Sequence, residues 1–206
     1  MILKNFVVFE GIDGAGTSTQ IKVLSERPEH EKFFFTTEPT DSPTGKFLRT
    51  MLKGDVKLDP RTSAYLFAAD RAEHLYGTSG SNCGIEKLCS QGKIVVSDRY
   101  LFSSLTYQSV TCGDKLPRLL NSPFPLPQLL FFFKIKPEVS LKRVEKRGER
   151  EIYEKLDFLE ATEKRYESIM EEYKKQDTGM KIIELDASLP KKEVSSLIWT
   201  ELSKIL

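Results

Sequence analysis

The chain has 206 residues, 39% of them hydrophobic and 30% charged, with 31 lysines and arginines against 30 acidic residues and a formal net charge of +1. That length buries an ordinary core as one domain without staples. The near-neutral balance gives no global bias toward nucleic acid or an acidic partner, so any anion site has to be local. Three cysteines, Cys83, Cys89 and Cys112, are odd in number and lack zinc or redox spacing, which points to buried or free thiols in a reducing compartment. The N-terminus carries one lysine and a short strand-like run in place of a signal-type core, and no segment approaches a membrane span, so a cytoplasmic location is expected.

The first predicted element is a strand over Leu3–Glu10, where Phe6, Val7, Val8 and Phe9 form an apolar run short enough to be buried in a parallel sheet. It leads into FEGIDGAGTST, Phe9–Thr19, with four residues between Gly11 and Gly16. Glycines at 11, 14 and 16 let the backbone turn tightly and point N–H groups inward, and a helix opening near Thr17 adds the positive end of its dipole. This is the spacing of a phosphate-binding loop, in which a serine such as Ser18 ligates magnesium, but Thr17 stands where that motif has lysine. Read alone, the stretch also describes a glycine-rich strand-to-helix turn that binds nothing.

Strand-like runs recur at Phe33–Thr37, Lys93–Ser97, Gln128–Ile135 and Lys181–Leu185, separated by stretches with helical periodicity. That alternation predicts an α/β fold with a mostly parallel sheet flanked by helices. Ligands then sit at the carboxyl ends of the strands, just after Phe9, Thr37 and Ser97. The third of these continues as Ser97-Asp98-Arg99-Tyr100 and on to Gln108. An acid at a strand end can hold magnesium or its waters, and an arginine fork can grip phosphate. Without the loop, Asp98-Arg99 reads equally as a helix cap with a surface ion pair. The charged span from Lys142 to Lys175 has a solvated helical face as its simplest meaning, and no linker or repeat divides the chain.

FEGIDGAG, then TEP at Thr37–Pro39, FAADR at Phe67–Arg71, SDRY with SSLTYQ, and LDASLP at Leu185–Pro190 follow the order and approximate spacing of the thymidylate kinase family. The chain resembles that family from Val7 to about Ile198. The resemblance implies a P-loop nucleoside-monophosphate-kinase fold with a five-stranded sheet, spanning residues 1–206 as a single domain. It implies transfer of a phosphoryl group from ATP, with Mg2+, to dTMP to give dTDP. On the acceptor side it implies Arg49 and Arg99 at the phosphate, Phe67 stacked on thymine, and Arg71 and Gln108 at the base edge. Asp13 and Glu38 are implied at the sugar hydroxyl or metal shell, with Tyr100, Ser104 and Tyr107 completing the dTMP site. Phe67 also lies in an apolar helical stretch and reads equally as core.

On the donor side the resemblance implies Gly11, Asp13, Gly14, Ala15, Gly16, Thr17, Ser18 and Thr19 around the phosphates, with Arg143, Asp186 and Ala187 toward adenine, though Asp186 reads equally as an ordinary turn residue. Ser18 and Asp98 are the implied magnesium ligands. Residues 143–153 are the implied lid, basic through RVEKRGER and hinged at Gly148. Arg150 and then Arg147 are its implied catalytic cations, beside Asp98 and Arg99. A homodimer is implied through the helices Ser63–Leu75 and Leu101–Gln108. The sequence departs from the family where Thr17 replaces the loop lysine and Thr37 replaces a frequent arginine. Losing a preorganised cation from a dry phosphate site costs roughly a hundredfold in rate, and Lys146, Arg147 or Arg150 is expected to compensate. Two other readings stay open: a kinase for another pyrimidine deoxynucleotide or deoxynucleoside, and a nucleotide-binding regulator that has lost catalysis.

Overall fold

The apolar runs become strands that all run in one direction, the arrangement common where helices cover both faces of a sheet. The computed structural model describes residues 1–77, 84–146, 152–153 and 155–206. Its strands are β1 (Ile2–Gly11), β2 (Phe33–Thr37), β3 (Ile94–Asp98), β4 (Leu126–Lys134) and β5 (Lys181–Asp186). They pair in the order β2-β3-β1-β4-β5, all parallel. The register sets Phe9 and Thr37 beside Asp98, Gly11 beside Phe133, and Lys134 beside Asp186, so five strand ends share one edge. β1 is not the uninterrupted run the sequence suggests. Asn5 takes a left-handed φ of 62°, the pairing with β4 slips between Leu3 and Val7, and the Asn5 amide donates to Gln128 Oε1 at 2.7 Å.

The helices are α1 (Thr17–Ser25), α2 (Pro43–Leu52), α3 (Pro60–Tyr76), α4 (Ile85–Ser90), α5 (Leu101–Ser103), α6 (Ser109–Cys112), α7 (Lys115–Asn121), α8 (Pro137–Glu145), α9 (Leu156–Lys175) and α10 (Lys191–Leu202). α2 and α3 start from the same chemistry, a proline in the first turn where its missing N–H costs nothing and a side-chain cap before it. Ser42 accepts from the Gly45 amide at 3.1 Å, and Asp59 accepts from the Arg61 amide at 2.9 Å. Between α5 and α6 the chain widens into a π turn at Ser104–Gln108. The core packs aromatic against aromatic: Phe9 lies 5.3 Å from both Phe131 and Phe133, and Phe132 lies 5.5 Å from Tyr166 of α9.

One expectation fails at this level. The Leu101–Gln108 stretch was a candidate dimer surface, but its apolar members and the whole π turn are buried within the chain and present no outer face. α3 does present one, with Tyr65 and Tyr76 exposed. Among the described residues no helix is long and apolar enough to cross a membrane. Cys89 is buried and Cys112 half-buried, both as free thiols; burial pushes the Cys89 thiol up to about 12. Cys83 lies outside the described residues.

Candidate active site

At the carboxyl edge of the sheet the loop after β1 turns into α1 through left-handed backbone at Gly14 (φ 81°) and Gly16 (φ 97°). A Cβ on Gly14 would stand 2.7 Å from the Ser140 carbonyl, so α8 sits directly against the loop. α1 has no side-chain cap, which leaves its first-turn amides and positive end for an anion. Thr17 opens that helix, buried and uncharged. Facing it, Arg143 of α8 donates to the Gly14 carbonyl at 3.4 Å and the Ala187 carbonyl at 3.0 Å. Gln20 Nε2 donates to the Lys191 carbonyl at 3.0 Å, tying α1 to the start of α10.

These walls enclose one end of a cavity of about 620 Å3, within the usual range for ligand sites. Its described lining holds five cations, Arg49, Arg71, Arg99, Arg143 and Lys191, against three carboxylates, Asp13, Glu38 and Asp98. That excess suits polyanions. Ser18 Oγ donates to Asp98 Oδ2 at 2.5 Å, while Asp98 Oδ1 is buried with no hydrogen-bond partner. A hydroxyl and a carboxylate with a spare buried oxygen fit a magnesium ion whose other ligands are waters and substrate phosphates. Among the described residues no cluster of three or more histidine, cysteine or acidic side chains offers an all-protein metal cage.

Arg99 follows Asp98 with a left-handed φ of 73°, a costly conformation for a side chain of this size. Its Nη1 donates to the Gly11 carbonyl at 3.0 Å and to Ser103 Oγ at 3.2 Å, and its Nη2 pairs with Asp13. Tyr107 donates to the other Asp13 oxygen at 3.0 Å, and its ring lies 5.3 Å from the Arg99 guanidinium. Arg71 is buried, with Nη1 on Asn121 Oδ1 and Nη2 on Glu38 Oε2 at 2.7 Å and Ser104 Oγ at 3.1 Å. Its Nε has no partner, nor has Gln108 Oε1, which is also buried. Both residues line the cavity beside Phe67. Phe67 does two things at once, packing against the small cluster Leu48, Met51 and Leu52 while facing the cavity.

A family model described as Thymidylate kinase matches residues 9–198. A relative from Treponema pallidum is 43% identical over 188 residues, covering 90% of this chain and 88% of its own length. One from Methanocaldococcus jannaschii is 39% identical, covering 84% and 85%, and one from Methanosarcina mazei is 34% identical, covering 93% and 92%. All three carry thymidylate kinase names. The chain belongs to the thymidylate kinase family. It is thus a nucleoside-monophosphate kinase, a phosphotransferase acting on dTMP with ATP.

Most of the residues that the thymidylate kinase resemblance singled out converge on the cavity: Asp13, Gly14, Ala15, Gly16, Thr17, Ser18 and Thr19 from the loop, Glu38, Arg49, Phe67, Arg71, Asp98, Arg99, Ser104, Tyr107 and Gln108, and Arg143 and Ala187 opposite. Tyr100 does not. Its extended backbone (φ −162°) turns the ring into the core, 4.9 Å from Phe6, and its phenol donates to the Pro125 carbonyl at 3.1 Å. Asp186 also misses; it is exposed and accepts from the Ser188 amide at 2.9 Å and hydroxyl at 2.6 Å, an ordinary turn residue. Gly11 contributes its carbonyl to Arg99 and does not line the cavity. Both Glu38 oxygens are engaged, one by Arg71 and one by His74 Nδ1 at 3.1 Å. Arg147, Gly148 and Arg150 lie outside the described residues, and Lys146 is exposed at the end of α8.

Several residues that matter here carried no obvious signal. Asn121 holds Arg71 from α7, and His74 reaches Thr36 Oγ1 at 2.6 Å with its second ring nitrogen while holding Glu38 with the first. Asp70 accepts from the Thr40 amide at 2.8 Å and from the Thr40 and Ser42 hydroxyls, fixing the turn that starts α2 and so aims Arg49. Glu10 is fully buried, and its place inside an apolar strand was the clue: a carboxylate there must have partners.

Proposed function

We propose that the kinase binds dTMP with thymine between Phe67 and the Arg71–Gln108 pair and its phosphate against Arg49 and Arg99, and places ATP on the loop between α1 and α8. The observation that carries this reading is the pair of unpartnered buried atoms, Arg71 Nε and Gln108 Oε1. A donor and an acceptor left open inside a cavity match a base edge that offers an acceptor and a donor. In the reaction an oxygen of the dTMP phosphate forms a bond to the γ-phosphorus of ATP as the bond to the β–γ bridging oxygen breaks, leaving ADP. Arg49 and Arg99 hold the acceptor in line, and the amides of Gly14 to Ser18 hold the donor without reorganising. Ser18 and Asp98 would hold Mg2+, which when bound neutralises charge on the donor phosphates.

Tyr107, fixed on Asp13, stands beside the sugar and disfavours a ribose hydroxyl by bulk. Arg143 and the Ala187 backbone flank the adenine, and Arg147 and Arg150 supply lid cations in place of the lysine absent at Thr17. The exposed Tyr65 and Tyr76 of α3 support a homodimer, and the setting is cytoplasmic. Coupled measurement of ADP formation with dTMP, dUMP, dCMP and thymidine as competing acceptors tests the reading. Turnover with dTMP preferred, and loss of that preference in Gln108→Leu, is the expected result. Binding of ATP without turnover of any acceptor would overturn it.

A further inference from the structure

Glu10 lies within the buried run of β1, and four donors converge on it. The amides of Tyr100 and Ser103 meet Oε1 at 2.8 and 3.2 Å, and the hydroxyls of Ser103 and Tyr166 meet Oε2 at 2.7 and 2.8 Å. The Tyr100 amide belongs to the turn immediately after Arg99, and the Ser103 hydroxyl accepts from Arg99 Nη1 at 3.2 Å. Ser103 has one hydroxyl proton. Donated to Glu10, it leaves the oxygen's lone pairs facing the guanidinium, so a cation, a hydroxyl and a carboxylate stand in series. The same carboxylate reaches α9 through Tyr166, the helix that follows the basic segment after α8. A buried carboxylate in an apolar strand is expensive unless it organises its surroundings, and nothing in the phosphate loop itself uses it.

We propose that Glu10 is a positioning residue for Arg99: through the Tyr100 and Ser103 amides it fixes the left-handed turn, and through the Ser103 hydroxyl it orients the guanidinium toward the acceptor phosphate. The inference rests on the reading of Arg99 as a phosphate-gripping residue. The charged and titratable groups around the network are Arg99 beyond β3, Asp98 at the end of β3, Asp13 in the phosphate loop, Tyr107 in the π turn and Tyr166 on α9. Burial raises the Glu10 pKa to about 7, opposed first by the charge of Arg99 and then by the Ser103, Tyr166 and Tyr100 hydrogen bonds. The relay therefore weakens as pH falls through about 7.

Two variants test it. Glu10→Gln keeps an acceptor for the two amides and removes the charge, whereas Ser103→Ala leaves the carboxylate and removes the relay. For each, kcat with dTMP, KM for ATP, the affinity for dTMP and that for thymidine are measured, with far-ultraviolet circular dichroism as the check on folding. Expected are about a tenfold loss of kcat and of dTMP affinity, KM for ATP within about twofold, and thymidine affinity unchanged, because thymidine has no phosphate for Arg99 to grip. In Glu10→Gln the fall of kcat below pH 7 also becomes shallower; the acceptor phosphate, itself titrating near pH 6, contributes equally to both enzymes. Equal weakening of dTMP and thymidine would reduce Glu10 to a structural residue, and folded variants with parental kcat would overturn the idea outright. Failure of the parent protein to bind dTMP would instead sink the assignment of the acceptor site.

Discussion

Replacing Arg71 with methionine removes a charge that is 1% exposed and paired at 2.7 Å with a Glu38 side chain that is 5% exposed. Methionine fills much of the volume, so the loss comes from polar groups left behind. Glu38 keeps only His74, and Asn121 Oδ1 and Ser104 lose their donor. Breaking a buried pair by removing one partner costs about 3–5 kcal/mol. For a domain of this size about 1 kcal/mol moves Tm by roughly 2–4 °C, so Arg71→Met should melt roughly 10 °C below the parent. Glu38→Gln should cost a comparable amount, because it strands the arginine. The double variant should cost less than the two together by about 2 kcal/mol, since neither charge is then left alone. Urea denaturation of the parent, both single variants and the double variant measures this coupling. If Arg71→Met costs under about 1 kcal/mol, or the two changes add within about 0.5 kcal/mol, the pair does not hold this wall of the cavity together and the reasoning is wrong.

Three further outcomes are expected. The folded pKa of Glu10, raised from 4.5 to about 7, means that its contribution to stability is present at low pH and is lost as pH rises through about 7. At about 1.4 kcal/mol per unit the parent should lose up to about 3 kcal/mol relative to Glu10→Gln between pH 4.5 and 8; a difference that stays level in denaturant titrations across that range contradicts the buried-carboxylate account. Asp98→Asn should raise the Mg2+ concentration needed for half-maximal rate by about tenfold, because one of two protein ligands loses its charge, and an unshifted Mg2+ curve removes Asp98 from the metal site. Alanine at Lys146, Arg147 or Arg150 should lower kcat by at least about tenfold at one of the three positions, on the scale of a single lost charge stabiliser. If none falls further than the exposed control Lys22→Ala, no lid cation stands in for the missing lysine.

The sheet was legible because parallel strands must be buried on both faces, which writes runs such as Phe6–Phe9 and Leu129–Phe133 plainly into the sequence. The slip at Asn5 was not, since an asparagine can enter left-handed backbone without any periodic signature. The site divides the same way. Ser18, Asp98 and Arg99 were readable because strand-end acids and glycine loops have local grammar, and Phe67, Arg71 and Gln108 because of the family pattern. Tyr100, placed in the site by the resemblance, lies outside the cavity because a motif says nothing of side-chain direction: an extended residue beside a left-handed one sends the two side chains apart. Asn121 and His74 were missed since each acts on a residue that only the fold brings close, and the π turn at Ser104–Gln108 has no sequence code.

β1 is made before either of its neighbours in the sheet, with β3 on one side and β4 on the other. Neither neighbour exists until translation has passed Asp98 and then Lys134. The Phe6–Phe9 run is thus made ahead of both partners and waits, unpaired and apolar, until they follow. The loop that opens α1 likewise precedes in synthesis the two strands that flank β1, and its surroundings are complete only once both have been made. Stalled or truncated chains ending before β4 therefore present an open strand edge in place of a kinase, and that edge is where aggregation or chaperone capture of unfinished molecules begins.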